Sequence, residues 1–344
     1  VSRVPPTSRP LLTRDRFLAA FGADPVPVGA ALAAGFTEAQ LRSTLARGLL
    51  VRVRHGVVAA SVAPELGDRA ASDAWRAQHL VALRAALQAV GPGAMAAHCS
   101  AAVVVDVSTP RAGPPTRVEL ARPGAANFDG PGLRVRGSGV PHHHRTEVDG
   151  IPTTDLIRTA VDLARGQSLP AALIPLDAGA RRMVAGGEDR ARVLRERVHD
   201  LSAREAALER LAACVEECCG WPGIAAVRRA LEHLDPASES PLESRSRGWF
   251  LEAGLPSLLV GHPIPTQSGL LWADFCDPVR RVIGEADGWS KYGSDLESVR
   301  AAIEAEKQRQ AELEDGGWRV VRWTSRDRRA SVVSRMATAL ASRN

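Results

Sequence analysis

Two short apolar runs near the C-terminus, LLWADF and VIGEAD, place carboxylates where a buried strand normally carries none, and this limits what the chain can become. Asp274 lies in the first run, Glu285 and Asp287 in the second. A carboxylate taken out of water is costly unless a cation meets it. Period-two alternation puts Glu285 and Asp287 on one face of their strand, where both can address the same ion. The surrounding pattern reads helix, three strands, helix, strand. Ser240, Pro241 and Glu243 supply the cap, first-turn proline and third-position acid of a helix running to Leu251, which Gly254 closes. LLVGHPIP, GLLWADFCD and RRVIGEADG follow as strands, a helix is predicted from about Asp295 to Leu313, and WRVVRWT reads as the last strand.

The residue types suit phosphodiester chemistry. Mg²⁺ or Mn²⁺ takes oxygen ligands from one or two carboxylates, and such an ion polarises a phosphate and lowers the pKa of a bound water. Asp274, Glu285 and Asp287 are the candidate ligands. Glu243 is a further acid for the same site, although its capping position already accounts for it. The alternative for the strand acids is pairing with Arg280, Arg281 or Arg322.

Only two of the 44 basic residues are lysine, Lys291 and Lys307, and both fall beside the acids. Arginine with abundant alanine fits a high-GC genome, in which a retained lysine is one that arginine does not replace. A compact ammonium can titrate and act as a point charge where a guanidinium cannot. The alternative for Lys307 is pairing with Glu304 or Glu306 on a solvated helix.

The rest of the chain sets the context. At 344 residues it exceeds what one core usually supports, and its net charge of +5 leans toward a polyanionic partner. Five scattered cysteines do not form a disulfide framework, and neither a long apolar span nor an export signal is evident, so a cytoplasmic protein without membrane contact is expected. The first ten residues read as a disordered lead.

Residues 11–62 read as three short helices followed by a strand pair. Thr37 and Gln40 form a capping box, Leu41 and Leu45 share a face, and Gly48 ends the third helix. LLVRVRHGVVAA then alternates and turns back at His55-Gly56. Three helices and a hairpin make a winged helix, whose third helix would enter the major groove of DNA while the hairpin meets the backbone. Gln40, Arg42, Ser43, Thr44 and Arg47 are the candidate DNA-binding residues on the helix, and Arg52, Arg54 and His55 those on the wing. A winged helix used for protein contacts is the alternative.

Residues 72–238 read as a mixed α/β domain with helices near Ala74–Val90, Thr154–Arg165, Ala171–Arg182 and Ala203–Cys219. His142, His143 and His144, with Cys214 and Cys218, invite a zinc reading, but their spacing matches no standard finger. A surface histidine run and buried apolar cysteines account for them more simply.

Two family resemblances follow from particular segments. LRSTLARGLLVRVRHGVVAA, AHCSAAVVVDV and GIPTTDLIRTAVDLARG resemble AbiEi-type antitoxins, the DNA-binding halves of abortive-infection (type IV) toxin–antitoxin pairs, over roughly residues 10–230. That resemblance implies transcriptional autorepression and a cognate toxin as partner. ADFCDPVRRVIGEADGWSKYG and EKQRQAELEDGGWRVVRWT resemble the endonuclease-like domain related to very-short-patch-repair nucleases, of the PD-(D/E)XK class, found at the end of actinobacterial proteins of this kind. It covers about residues 238–330. In it Asp274 matches the first metal aspartate and Glu285 the carboxylate strand, but Asp287 stands where the pattern has a lysine. The expected architecture is a multidomain α/β chain: winged helix (11–62), middle domain (72–238) and restriction-endonuclease-like domain (239–335). A metal-dependent nuclease and a non-catalytic repressor both remain open.

Overall fold

The structure, a computed structural model, describes residues 9–22, 24–54, 56–61, 68–111, 113–267, 269–287 and 309–341. The chain is a multidomain α/β protein with three sheets among the described residues. It divides into two compact units, Val1–Asp106 with Gly113–Asp155, and Val107–Ala112 with Leu156–Asn344. The stretch 72–238, expected as one domain, is therefore shared between them. No helix among the described residues is long and apolar enough to cross a membrane.

The first unit opens with α1 (Arg9–Phe21), β1 (Val26–Pro27), α2 (Val28–Ala33), α3 (Glu38–Ala46), β2 (Leu50–Arg54) and β3 (Val57–Ala60). The strands pair antiparallel in the order β1-β3-β2. Their core gathers Phe17, Phe36, Leu41, Leu50 and Val58, with Phe17 and Phe36 edge to face at 5.7 Å. Helix α3 begins and ends where the sequence places it. Thr37 and Gln40 form the reciprocal capping box, and Gly48 adopts the left-handed backbone that a helix end favours.

A second layer of the same unit comprises α4 (Asp68–Val90), β4 (Met95–Ala96), α5 (His98–Val105), β5 (Val118–Ala121), β6 (Phe128–Gly130), β7 (Leu133–Arg136), β8 (Arg145–Val148) and β9 (Ile151–Thr154). They form a mixed sheet, order β6-β7-β5-β4-β9-β8. Its apolar core, with Leu83, Ala101, Leu120 and Ile151, contains one buried polar network. Ser100 Oγ accepts the Glu119 N–H at 2.8 Å and shares a hydrogen bond with His79 Nε2 at 3.0 Å, joining α4, α5 and β5. The histidine run forms a single 3₁₀ turn, with buried His144 bonded through Nδ1 to Asp155 Oδ2 at 3.0 Å.

The second unit starts with α6 (Leu156–Ala164), α7 (Leu169–Ala185), α8 (Ala191–Arg197), α9 (Leu201–Glu217), α10 (Ile224–Leu231) and α11 (Pro241–Glu252). Strands β10 (Leu259–Thr266), β11 (Gly269–Asp277), β12 (Val282–Asp287) and β13 (Arg319–Thr324) lie side by side in that order, antiparallel except for the parallel β12–β13 pair. Helix α12 occupies residues 309–315, and α13 (Arg329–Ala341) follows β13. One face of the sheet, through Phe275, Val282 and Trp323, packs into a core shared with Leu173, Leu176, Leu211, Phe250 and Met336. The other face, through Leu271 and Ile283, covers Leu313 of α12. Helices α6, α7, α9 and α10 thus bury their apolar faces in the same core as the C-terminal sheet, and α8 lays Leu194 against it. Cys214 and Cys218 are buried members of that core, as the simpler sequence reading has it.

Helix α11 is fixed at several points. Arg247 donates to both Asp177 oxygens on α7 at 2.7 and 2.6 Å, Gly248 lies flush on Pro170, and Ser246 Oγ accepts the Trp323 indole N–H at 2.8 Å. A Cβ at residue 248 would come within 2.4 Å of Pro170 Cα, so only glycine permits this approach.

His79 gives the first unit a defined response to acid. Burial lowers its pKa from 6.5 to about 4, against a smaller opposing effect of Glu119. Between those values the unfolded chain binds a proton that the folded chain refuses, so stability falls as pH drops through that window, by at most about 3 kcal/mol. His79→Gln is expected to reduce this loss. Denaturant melts at pH 7 and pH 4.5 check it, and an equal loss in both proteins would contradict it.

Candidate functional site

The local sequence turns α11 so that its first turn faces the sheet. Ser240 caps the helix, its Oγ accepting the Glu243 N–H at 3.2 Å. The expected reciprocal bond is displaced by one residue: Glu243 Oε2 accepts the N–H of Glu239 at 2.6 Å, not that of the cap. This holds the Glu243 side chain inward, 5% exposed. Burial, and next the charge of Asp274, push its pKa up to about 8. The helix acid is therefore more than a cap, because it lies close enough to the strand aspartate to be repelled by it.

On the sheet, β11 and β12 pair from Asp277↔Val282 to Phe275↔Gly284, where the backbone ladder ends one residue short of Asp274 and Glu285. At that point a side chain enters the ladder: Asp274 Oδ2 accepts the Ala286 N–H at 2.7 Å. Side-chain alternation breaks at the same residue. Ala273 packs with the α12 face and Phe275 with the opposite face, although strict alternation would put both on one. Across from Asp274, between the pairs Val260↔Phe275 and His262↔Ala273, lies Gly261 with φ +57°. A left-handed glycine is a standard way to re-aim a strand side chain.

On β12, Val282, Gly284 and Ala286 face the main core, and Ile283 faces α12. Glu285 and Asp287 share the phase of Ile283. Glu285 is 2% exposed, with Arg309 Nη1 of α12 at 3.6 Å from its Oε2. Asp287 is half-buried, with Arg322 Nη1 of β13 at 3.9 Å from its Oδ2. Of the three arginines available for pairing, Arg322 is the one that meets a site acid; Arg280 pairs with Asp277 at 2.8 Å and Arg281 donates to Gly316 O at 2.7 Å. Among the described residues, no three of Glu243, Asp274, Glu285 and Asp287 have carboxylate oxygens mutually within 4.8 Å. The charge of Asp274 acts on Glu243, second to burial, in raising its pKa. Lys291 and Lys307 lie outside the described residues.

Three flanking residues escape a reading of the C-terminal sequence alone. Glu239 accepts from Arg195 Nε and Nη2 at 2.9 and 3.1 Å, and from Arg181 Nη2 at 3.1 Å. The arginines come from α8 and α7, far from residues 239–335 in sequence. Only Glu239, inside the joint before α11, offered a local signal.

On α3 the candidate DNA-binding residues separate. Arg42, Ser43 and Arg47 are exposed, with Arg42 in a solvated pair with Glu38 at 3.7 Å, and Arg52 is exposed on β2. Gln40 and Thr44 are spent elsewhere. The Gln40 Oε1 accepts the Thr37 N–H at 2.9 Å, and Thr44, 0% exposed, donates its hydroxyl to Gln40 O at 2.7 Å. Thr44 faces the core and has no access to a groove. The backbone of Arg54 belongs to β2, while its side chain and all of His55 lie outside the described residues.

No family model matches the chain. Two proteins of Mycobacterium tuberculosis, uncharacterized protein MT2308 and uncharacterized protein Rv2248, are each 29% identical to it over 292 residues, 83% of this chain and 89% of the relative. A match of that extent takes in parts of both units.

Proposed function

We propose that this is a DNA-binding protein whose second unit carries a metal-dependent, nuclease-like site for hydrolysing phosphodiester bonds. The observation that carries the reading is the gathering of acids from a helix and a strand: buried Glu243 of α11 lies within reach of the charge of Asp274 on β11, whose Oδ2 also accepts the Ala286 N–H of β12. The donor set supports the same view. Every candidate ligand is a carboxylate oxygen, the chemistry that Mg²⁺ or Mn²⁺ prefers. Asp274 and Glu243 would hold the ion, and Glu285, on the neighbouring strand in the phase that faces α12, is a further carboxylate of the same sheet. A bound divalent ion would polarise the phosphate and make a hydroxide available near neutral pH. The protein's own part is positional: the Glu239 N–H aims Glu243, and Gly261 re-aims the strand at Asp274. The order helix, three strands, helix, strand supports the resemblance to PD-(D/E)XK nucleases.

The front end would supply the address. Three helices and an antiparallel strand pair are the parts of a winged helix, and exposed Arg42, Ser43, Arg47 and Arg52 suit contacts with phosphates and base edges.

A second reading is favoured by one specific observation. Asp287 stands where the nuclease pattern has a lysine and is paired with Arg322, while Glu285 is met by Arg309. Such pairing suits a site that has lost catalysis, in a repressor of the antitoxin type acting with a cognate toxin. Cleavage decides between the two.

With Mg²⁺ or Mn²⁺, the wild-type chain is expected to nick plasmid or cut oligonucleotide duplex, and Asp274→Ala or Glu285→Ala to slow this by at least about 100-fold. Cleavage surviving both substitutions would sink the nuclease reading. For the front end, Arg42→Ala or Arg52→Ala is expected to weaken DNA binding and reduce the slope of log K against log salt by about 1. Fluorescence anisotropy across a salt series measures this, and unchanged slopes in both variants would remove the proposed interface.

A further inference from the structure

Two guanidiniums converge on a single carboxylate beside the acid pair. Arg181 and Arg195 both donate to Glu239, whose backbone N–H in turn holds Glu243. Two guanidiniums on one carboxylate leave this cluster of three side chains with one formal positive charge in excess. The two arginines are not equivalent. Arg181 is also tied to Pro236 O at 3.1 Å and Ala237 O at 3.5 Å and is 15% exposed, as a structural brace should be. Arg195 makes its hydrogen bonds to Glu239 alone among the described residues and is 38% exposed. It projects from α8, a seven-residue helix with no buried residue. Its hydrogen bonds to Glu239 chiefly, with the charges of Asp274 and Glu243 adding, hold its proton firmly.

We infer that Arg195 is the phosphate-binding cation of this site, reaching the scissile phosphodiester from α8 and supplying the positive charge that Asp287 in the lysine position does not; the inference rests on the proposed function. Arg195 already grips two oxygens of a planar carboxylate through Nε and Nη2. Two non-bridging phosphate oxygens present acceptors of the same kind, so the exchange preserves its hydrogen bonding. A guanidinium cannot serve as a base at neutral pH. Its contribution is to bind the phosphate and stabilise charge as it develops.

The test uses the full chain with a labelled duplex, comparing wild type, Arg195→Gln, Arg195→Lys, Glu239→Gln and Asp274→Ala. Three quantities are read: cleavage rate in Mg²⁺, the gain in DNA affinity from EDTA to Ca²⁺, and the melting temperature. The affinity gain subtracts whatever the front end contributes. Arg195→Gln is expected to slow cleavage by roughly 100-fold and to cut the Ca²⁺-dependent gain roughly tenfold, with the melting temperature little changed. Arg195→Lys should recover part of both. Glu239→Gln loosens the grip on Arg195 without removing it, and should keep most of the cleavage that Arg195→Gln loses. If Arg195 only braces Glu239, the glutamine variants at 195 and 239 will show equal deficits, and the inference fails. It fails as well if Arg195→Gln cleaves like wild type while Asp274→Ala does not cleave, a result that leaves the nuclease reading standing. A wild type showing neither cleavage nor a metal-dependent gain in affinity overturns both.

Discussion

Glu243 is buried beside the charge of Asp274, and burial first and that charge second disfavour its ionised form. Keeping the two acids near one another has a cost, and much of the second unit is arranged to do so. The cost falls on α11, which has to be held against the sheet. Arg247 on Asp177 does this through a buried ion pair whose disruption would leave an uncompensated charge, typically a loss of about 3–5 kcal/mol. Gly248 on Pro170 and Ser246 on Trp323 add close packing and a buried hydrogen bond at successive positions of the same helix. Held at these points, the helix has little freedom to withdraw Glu243 from Asp274.

The same clamp explains why the middle of the chain divides as it does. Helices α6 to α10 could have formed a domain of their own, but their apolar faces meet α11 and the inner face of β11–β13 in one core. The C-terminal sheet therefore gains a helical layer that its own sequence does not contain. With that layer come Arg181 and Arg195, and the acid pair acquires a cationic flank from residues more than forty positions upstream.

Features governed by neighbours in sequence were legible. Thr37, Gln40 and Gly48 bound α3, Ser240 and Pro241 start α11, and the strands carrying Asp274 and Glu285 lie side by side with Glu285 and Asp287 in one phase. What failed to show depends on tertiary placement. Glu243 reads as a further acid for the site, but its capping position gives a local reason for an acid there, so its burial and the action of Asp274 on it do not show. Thr44 looked like a groove-facing residue because composition does not say which polar side chains a helix turns inward and bonds to its own backbone. The break in alternation at Asp274 lies across from a left-handed glycine, Gly261, on the adjacent strand, and has no mark in the sequence of β11 itself. The arginines on Glu239 leave no motif at all, since only the packing of α7 and α8 brings them there.

Binding of a divalent cation by Glu243 and Asp274, as proposed, is separable from cleavage of DNA. Calorimetric titration of the full chain with Mn²⁺ tests it most directly, comparing wild type with Asp274→Asn and Glu243→Gln. The account predicts saturable binding of one ion per chain that is lost or greatly weakened in both variants. Absence of saturable binding in the wild type, or binding that persists unchanged in both variants, would contradict it.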